Sequence, residues 1–141
     1  MQTFVPYADA KLSAKSLDYR RLGKQRVECL QIMNTLNAIK AGEGKRGWAG
    51  HPAVKMWEGH EGFLAEYSIE MCNEWIRRGY NDNLRDRFGP MYIDKDRTPP
   101  FWWGREDVHY SHQCQLVNKN PLYYRSKFPN ADPSVRYVWP V

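Results

Sequence analysis

Residues 17–28, LDYRRLGKQRVE, decide the fold because they begin the longest helix that the sequence predicts. The stretch holds four cations and two carboxylates together with an amide and a tyrosine. Isolated charges are costly to remove from water, so a cationic helix start cannot be buried without partners. A polyanion is the obvious partner, and the stretch therefore favours binding to nucleic acid.

The same stretch continues as an amphipathic helix over residues 17–41. Ser16 or Asp18 is the expected N-cap, because short polar side chains accept hydrogen bonds from the first turn. Gly23 weakens the helix near its start. At about 100° per residue, one face collects the apolar side chains, which are those of Leu22, Cys29, Leu30, Met33 and Leu36.

Two more long helices follow. Apolar residues recur at three- and four-residue steps over residues 60–75, and Gly79 after two arginines marks the end of that helix. Residues 106–119 predict a third helix, which Pro121 ends. We therefore predict an all-α fold, a compact single domain over residues 1–141 with about three long helices and an aromatic, irregular C-terminal tail.

The other segments predict irregular structure. Residues 1–16 are expected to be an extended lead followed by a turn, residues 81–90 a short helical turn at most, and residues 91–104 a Pro- and aromatic-rich loop. The tail over residues 122–141 is expected to wrap the surface, with one short strand at residues 136–139. The three long helices are thus the predicted frame of the domain.

The composition is that of a basic, aromatic-rich globular domain. Its 141 residues suffice for one core, and a net charge of +5 with a pI of about 9.2 favours an anionic partner. Six Trp, nine Tyr and five Phe mixed with Arg and Lys suit a protein that stacks bases while it holds phosphates. A Trp-rich core explains any single aromatic residue equally well.

Three features argue against other classes of protein. Cys29, Cys72 and Cys114 form no CxxC pair, which excludes a zinc knuckle and favours free buried thiols in a reducing compartment. Residues 41–50 are a Gly-rich, basic loop without the GxxxxGK[ST] pattern of a nucleotide-binding P-loop. The N-terminus lacks an apolar signal core and no stretch approaches membrane-spanning length, so we expect no membrane contact and a cytoplasmic protein.

The charged flank of the first long helix is the first candidate for chemistry. Asp18, Arg21, Gln25 and Glu28 are spaced to lie on one flank. A carboxylate in an Arg-rich patch stays ionised, and it would stabilise developing positive charge or move protons; the alternative is a solvated salt-bridge face. Arg26 points into the middle of the apolar arc, where it either snorkels or is ion-paired, or else faces a functional cleft with a carboxylate holding it.

Histidines supply the second candidate. His109 and His112 can share a helix face, and His51 and His60 are the only other histidines. A zinc site needs three or four ligands, so contacts with phosphates or packing in the core are the favoured roles. A metal-dependent nuclease that uses His109 and His112 is the weakest functional interpretation, and full activity in chelator would exclude it.

In their order along the chain, these motifs resemble the pyrimidine-dimer DNA glycosylases, the family of bacteriophage endonuclease V. The likeness extends over most of the chain and is greater for bacterial and phage relatives whose hallmarks include RLGKQRVE and a YVWP ending. The matching segments are Asp18-Tyr19-Arg20-x-Leu22 with Arg26-Val27, Phe63-Leu64-x-x-Tyr67 leading to Glu74-x-x-x-Arg78-Gly79-Tyr80-Asn81, and His109-x-Ser111-His112-Gln113-x-x-Leu116 leading to Lys119-x-Pro121-x-x-Tyr124.

The resemblance implies a compact fold of three helices and a DNA glycosylase with AP-lyase activity that needs no metal or other cofactor. In that family the N-terminal α-amine attacks the deoxyribose C1′ and displaces the damaged base, and the resulting Schiff base permits β-elimination, which cuts the strand. Extrusion of the target nucleotide gives access to it. The implied partner is double-stranded DNA, bound by a monomer in the cytoplasm of a bacterial cell or of a phage-infected host.

Two positions depart from the family pattern. The catalytic glutamate of the family would follow the Tyr-Arg pair, where this chain has Arg21, which cannot act as a carboxylate. Glu28, two turns further along the same face and about 10 Å away by helix rise, is the nearest replacement, and Asp18 is a second candidate. Gln2 is bulky enough to disfavour removal of the initiator methionine, so Met1 is expected to supply the amine.

Transferred residue by residue, the resemblance implies a catalytic set and a DNA-binding set. The catalytic set is Met1, Glu28 and Arg26. The DNA-binding set is Tyr19, Arg20, Arg21, Lys24, Gln25, His109, His112, Lys119, Tyr123 and Tyr124. A non-catalytic DNA-binding protein on the same scaffold is the alternative, and the substrates left open range from pyrimidine dimers to phage-type modified pyrimidines.

Overall fold

All regular secondary structure in the computed structural model is helical, over the residues that it describes, 1–43 and 47–141. This confirms the predicted all-α fold. None of the described helices combines the length and the apolar content that crossing a bilayer requires. The helices are α1 (Ala10–Ser16), α2 (Tyr19–Lys40), α3 (Pro52–Lys55), α4 (Glu61–Arg77), α5 (Arg85–Asp94), α6 (Glu106–Lys119) and α7 (Pro121–Tyr124), with a 3₁₀ turn at Gly47–Gly50.

The central helix α2 forms as its sequence predicts. The side chain of Asp18 caps it by accepting a hydrogen bond from the Arg21 backbone N–H at 3.3 Å. Its apolar face packs on α4, and Gly23 lies against the Trp75 side chain of that helix. A Cβ on Gly23 would lie 2.9 Å from the Trp75 ring, so the glycine that weakens α2 locally permits the α2–α4 contact.

The ends of α4 and α6 also follow local signals. Gly79 has a φ of +94°, and its N–H donates to the Ile76 carbonyl at 2.9 Å, so it ends α4 in the left-handed conformation that glycine adopts without strain. The bounds of α6 are those predicted, and Pro121 begins α7 directly after the α6 C-cap Asn120. The basic loop predicted at residues 41–50 lies partly outside the described residues.

Three predictions of irregular or extended structure are wrong. Residues 10–16 form α1, because Asp9 caps the segment by accepting from the Leu12 N–H at 2.9 Å. Residues 85–94 form α5, which Asp82 starts by accepting from the Arg85 N–H at 2.8 Å and which packs the fully buried Phe88 against the core.

The third wrong prediction is the short strand at residues 136–139. No strand occurs in the described ranges, and the tail lies along α6 instead. The Val138 N–H donates to Ser111 Oγ at 3.0 Å, and Gln115 Nε2 donates to the Val135 carbonyl at 2.6 Å. Side chains of α6 thus satisfy backbone groups that a second strand would otherwise pair with.

Buried indoles confirm the Trp-rich core for part of the aromatic content. Trp57 and Trp102 are fully buried and meet edge to face at 5.1 Å between ring centroids. Each indole N–H has a partner, since Trp57 donates to Thr3 Oγ1 at 2.9 Å and Trp102 to the Met56 carbonyl at 2.8 Å. These rings therefore stabilise the fold and are not available to stack on bases.

The extended start of the chain is held by side chains rather than by a second strand. The Phe4 N–H donates to Gln25 Oε1 at 2.7 Å, and Tyr67 Oη donates to the Phe4 carbonyl at 2.6 Å. Gln25 belongs to α2 and Tyr67 to α4, and both are buried. The prediction that Gln25 contacts DNA is corrected, because its amide is enclosed and positions the chain start.

Two histidines of α6 hold the next residue of the same segment. The Val5 N–H donates to His112 Nδ1 at 3.0 Å, while His109 Nδ1 lies 2.7 Å from the Val5 carbonyl and His109 Nε2 accepts from the Gly104 N–H at 2.9 Å. Burial lowers the pKa of His109 and lowers that of His112 to about 3. Both rings are therefore neutral and enclosed, which corrects the prediction that they contact DNA phosphates.

Candidate active site

A cleft of about 740 Å³ opens where the chain start meets the first turns of α2 and the end of α6. It gathers residues that are far apart in sequence, because the N-terminal segment, α2, the α6–α7 junction and the C-terminal tail all border it. Its lining residues are Met1, Gln2, Phe4, Asp18, Tyr19, Arg20, Arg21, Lys24, Glu28, Lys119, Asn120, Tyr123 and Tyr137.

The Glu28 carboxylate lies beside the start of the chain. The Gln2 backbone N–H donates to Glu28 Oε2 at 3.2 Å, and Met1 lines the same cleft. Gln25 Nε2 donates to the Gln2 carbonyl at 2.6 Å and lies 3.4 Å from the same Glu28 oxygen. Lys24 Nζ lies 3.7 Å from Glu28 Oε1. The carboxylate is thus fixed next to the first peptide bond, with only 13% of its side chain exposed.

His51 lies within electrostatic reach of the chain start. Its pKa is lowered, first by burial and then by the positive charge of the N-terminus, while Glu28 acts in the opposite direction. His51 Nδ1 accepts from the Ala53 N–H at 3.0 Å and so caps α3. Sequence reasoning assigned His51 no role in the site, since nothing local connects the α3 cap to Met1.

Asp18 also borders the cleft, but its oxygens are engaged. Arg21 Nη1 lies 3.1 Å from Asp18 Oδ1, and the Tyr124 hydroxyl donates a short hydrogen bond to the same oxygen. Burial opposes ionisation of Asp18, but the hydrogen bonds from Tyr124 and Arg21 outweigh it, and the pKa of this carboxyl lies below its ordinary value. Asp18 is therefore a fixed, ionised cap of α2.

Tyr124 has a structural role. It is fully buried, its hydroxyl accepts from the Asp18 N–H at 2.9 Å, and the Arg21 guanidinium lies 5.9 Å from its ring centroid. Burial, as the largest cause, raises its pKa well above the ordinary value. The prediction that Tyr124 contacts DNA is corrected, because its ring, at the end of α7, is fully buried.

The other residues predicted to bind DNA lie together along the rim of the cleft. Lys24 is 76% exposed at its side chain and Tyr19 is 51% exposed as a residue, and the Tyr19 hydroxyl accepts from Arg20 Nε at 3.0 Å. Cations spaced along a groove suit a phosphate backbone. The predicted residues that the structure brings together at this rim are Tyr19, Arg20, Arg21, Lys24, Lys119 and Tyr123.

Arg26 lies apart from the cleft. Its Nη1 is 2.5 Å from Asp82 Oδ1, its guanidinium lies 4.6 Å from the Trp75 ring centroid, and 11% of its side chain is exposed. It is not among the residues that line the cleft. Of the roles considered for Arg26, the ion pair is the one observed, and the prediction that it is catalytic is corrected.

A metal centre finds no support among the residues that the structure describes. In the described ranges no cluster of three or more His, Cys, Asp or Glu side chains could hold a metal ion. Both ring nitrogens of His109 lie within hydrogen-bond distance of backbone groups, and His112 Nδ1 is occupied by Val5. The pair is therefore not arranged as the metal site that a nuclease would need.

Four cleft residues were not predicted from the sequence as part of the site, namely Gln2, Phe4, Asn120 and Tyr137. Gln2 is buried and connects the chain start to Glu28. Asn120 caps α7. Tyr137, in the tail, packs edge-on against His112 at 5.2 Å between centroids. Tyr137 Oη and Gln2 Nε2 are buried, and neither has a hydrogen-bond partner among the residues that the structure describes.

A family model described as pyrimidine dimer DNA glycosylase matches residues 1–88. The match covers more than half of the chain and includes the chain start and all of α2, so it confirms the resemblance drawn from the motifs there. The motifs of α6 and α7 lie outside the matched range. Searches of curated proteins and of solved structures each found no match.

Proposed function

The chain belongs to the pyrimidine dimer DNA glycosylase family, and from this premise we propose that it is a monomeric DNA N-glycosylase with AP-lyase activity. Its substrate is a damaged or modified pyrimidine in double-stranded DNA. The observation that carries the proposal is the position of Glu28, whose Oε2 accepts from the Gln2 N–H at 3.2 Å in a cleft rimmed by cations. The Glu28 carboxylate therefore contacts the residue that directly follows Met1, which carries the α-amine.

The Met1 α-amine is the proposed nucleophile. In its uncharged form it attacks C1′ of the extruded nucleotide, and the bond from C1′ to the base breaks as the base leaves with the bonding electrons and takes up a proton. The C1′–O4′ bond then opens, O4′ becomes a hydroxyl, and C1′ and the amine nitrogen form a protonated Schiff base. Loss of the C2′ proton expels the 3′ phosphate, and water hydrolyses the Schiff base to restore the amine.

Glu28 is the proposed catalytic carboxylate. It stabilises the positive charge that develops at C1′ and then accepts the C2′ proton. Its oxygens already face Gln2, Gln25 and Lys24 at hydrogen-bond or ion-pair distance, so little reorganisation is needed during the reaction. The exposed cations of the rim hold the phosphates on either side of the target, and their attraction weakens as salt rises.

Borohydride trapping tests the proposal, since reduction of the Schiff base leaves a covalent protein–DNA adduct. Wild-type protein is assayed on duplexes with an abasic site, several pyrimidine lesions and hypermodified pyrimidines. We expect Glu28→Gln to slow base release by roughly 10²–10⁴-fold while the Kd for DNA changes little. Glu58→Gln, on an exposed turn away from the cleft, is the matched control.

A blocked chain start supplies the second arm of this test. A Gly-Ser extension before Met1 moves the amine out of the cleft, so we expect no adduct from that variant although it binds DNA. If wild-type protein forms no adduct on any of the substrates, or if the extended protein traps as well as wild type, the amine mechanism is wrong.

The position of Arg21 favours a second candidate, a DNA-binding protein without catalysis. Arg21 occupies the place of the family carboxylate and is ion-paired with Asp18 at 3.1 Å. This candidate predicts salt-dependent duplex binding, with log K falling by about 0.9 per tenfold rise in salt for each neutralised phosphate. It also predicts no adduct and no strand cleavage on any lesion, which separates it from the first candidate.

A further inference from the structure

One leucine almost wholly in water lies in the chain between residues that line the cleft. Leu122 is 98% exposed, more than the other exposed large apolar residues of the described ranges, of which Ile93 at 75% and Phe101 at 73% come next. Its neighbours Asn120 and Tyr123 line the cleft. Singly exposed apolar side chains are common on protein surfaces, and Leu122 is distinguished from them by its place beside residues that line the proposed DNA path.

The turn that carries Leu122 is rigid. Pro121 occupies the first position of α7, where its fixed φ suits a helix, and the Asn120 side chain accepts from the Tyr123 N–H at 3.3 Å. Beneath the turn, the buried Tyr124 is tied through its hydroxyl to Asp18. The turn that carries Leu122 is therefore anchored to the N-cap of α2.

Charge surrounds this apolar tip. Lys119 and Lys24 line the same cleft, and Lys127 Nζ lies 5.1 Å from the Tyr123 ring centroid. Duplex DNA has the complementary pattern, an apolar base stack between two rows of phosphates. Proteins that kink DNA insert side chains such as Leu between base steps at a cost of roughly a few kcal/mol per step.

We propose that Leu122 inserts into the base stack of the bound duplex and fills the gap that the extruded nucleotide leaves. The inference rests on the proposed function for the location of the DNA, and it adds a residue for extrusion that the family match over residues 1–88 does not include. In this arrangement Leu122 holds the stack open while the nucleotide lies in the cleft near Glu28.

Fluorescence of 2-aminopurine tests the insertion. The probe is a duplex that carries 2-aminopurine beside a stable tetrahydrofuran abasic analogue. The emission of 2-aminopurine rises when the neighbouring base no longer stacks on it. At saturating wild-type protein we expect a clear rise, and for Leu122→Ala a rise reduced at least about threefold. Leu122→Phe, which keeps a large apolar tip, should recover at least half of the wild-type rise. Ile93→Ala, an exposed apolar residue outside the cleft, is the matched control and should equal wild type.

Borohydride trapping in parallel keeps the two proposals separate. Leu122→Ala should slow adduct formation, relative to wild type, on both substrates to different extents. The factor should be at least about tenfold larger on a duplex with a paired target than on a single-stranded abasic oligonucleotide, which has no base stack to open. A full 2-aminopurine rise with Leu122→Ala, or none with saturating wild type, overturns the insertion whether or not an adduct forms. A Leu122-dependent rise without any wild-type adduct supports the insertion and refutes the proposed catalysis.

Discussion

Gln25→Leu is the substitution that most directly tests how the chain start is positioned. Gln25 lies on α2 with 1% of its surface exposed, and leucine has nearly the same volume. In wild-type protein, Gln25 Oε1 accepts from the Phe4 N–H at 2.7 Å and Gln25 Nε2 donates to the Gln2 carbonyl at 2.6 Å. The substitution leaves one buried backbone donor and one buried backbone acceptor without these partners.

The expected loss of stability follows from those two groups. A buried polar group that loses its partner costs about 1–3 kcal/mol, and the leucine side chain offsets part of that cost through apolar burial. We therefore expect the free energy of unfolding to fall by about 2–4 kcal/mol, a large part of the roughly 5–15 kcal/mol typical of a domain. The same change loosens the segment that carries Met1, and a misplacement of about 1 Å typically costs a factor of about 10² in rate.

Urea unfolding and borohydride trapping measure the two effects separately, with trapping done at a temperature where Gln25→Leu remains folded. Gln31→Leu is the matched control, since Gln31 lies on the exposed side of the same helix and should change neither quantity appreciably. A loss of stability below about 0.5 kcal/mol would refute the hydrogen-bond reasoning. A folded Gln25→Leu protein that traps DNA at the wild-type rate would refute the positioning of the amine.

Three further predictions concern the frame. Gly23→Ala adds a Cβ 2.9 Å from the Trp75 ring. Although helix propensity improves by about 1 kcal/mol, the free energy of unfolding measured in urea should fall by about 1–2 kcal/mol because of this close contact. A more stable variant would contradict the close contact. Asp82→Asn removes the charge that faces the buried Arg26 and should cost about 3–5 kcal/mol, most of it recovered in the double variant with Arg26→Met. Burial lowers the pKa of His112 to about 3, so as pH falls His112 takes up a proton in the unfolded chain before it does in the folded protein. The free energy of unfolding should therefore fall from about pH 6.5 towards about pH 3, by up to about 1.4 kcal/mol per pH unit. A flat stability profile between pH 7 and pH 5 would argue against a buried, neutral ring.

Features that depend on neighbouring residues were predictable from the sequence. The Asp18 cap, the glycine at residue 79 and the bounds of α6 each follow from a few consecutive side chains. Helix α5 was missed because Pro90 lies inside it, which argues against a helix on local grounds. Burial of Phe88 against the rest of the fold outweighs that local cost, and such a contact cannot be read from a ten-residue window.

The direction of a helix face was predictable, but its partner was not. Spacing correctly put His109 and His112 near one face of α6, yet that face turns towards Val5, more than a hundred residues away in sequence. Arg26 was likewise placed in the apolar arc, and its partner Asp82 is 56 residues distant. Both assignments to function failed for one reason, because a polar residue that faces the core and a polar residue that faces a ligand have the same periodicity.

Whether Glu28 can replace the family carboxylate, whose place Arg21 occupies, depends on its distance from the chain start and not on its distance from Arg21 along α2. Along α2 the two residues are about 10 Å apart, so by helix position alone Glu28 is a poor substitute. In the proposed mechanism, however, the carboxylate serves the amine, and the relevant separation is from Glu28 to the first peptide bond, which is 3.2 Å from Gln2 N to Oε2. Gln25 maintains that separation by holding the Gln2 carbonyl. A related chain with Glu28 but without Gln25 is therefore expected to bind DNA with its amine out of reach of the carboxylate.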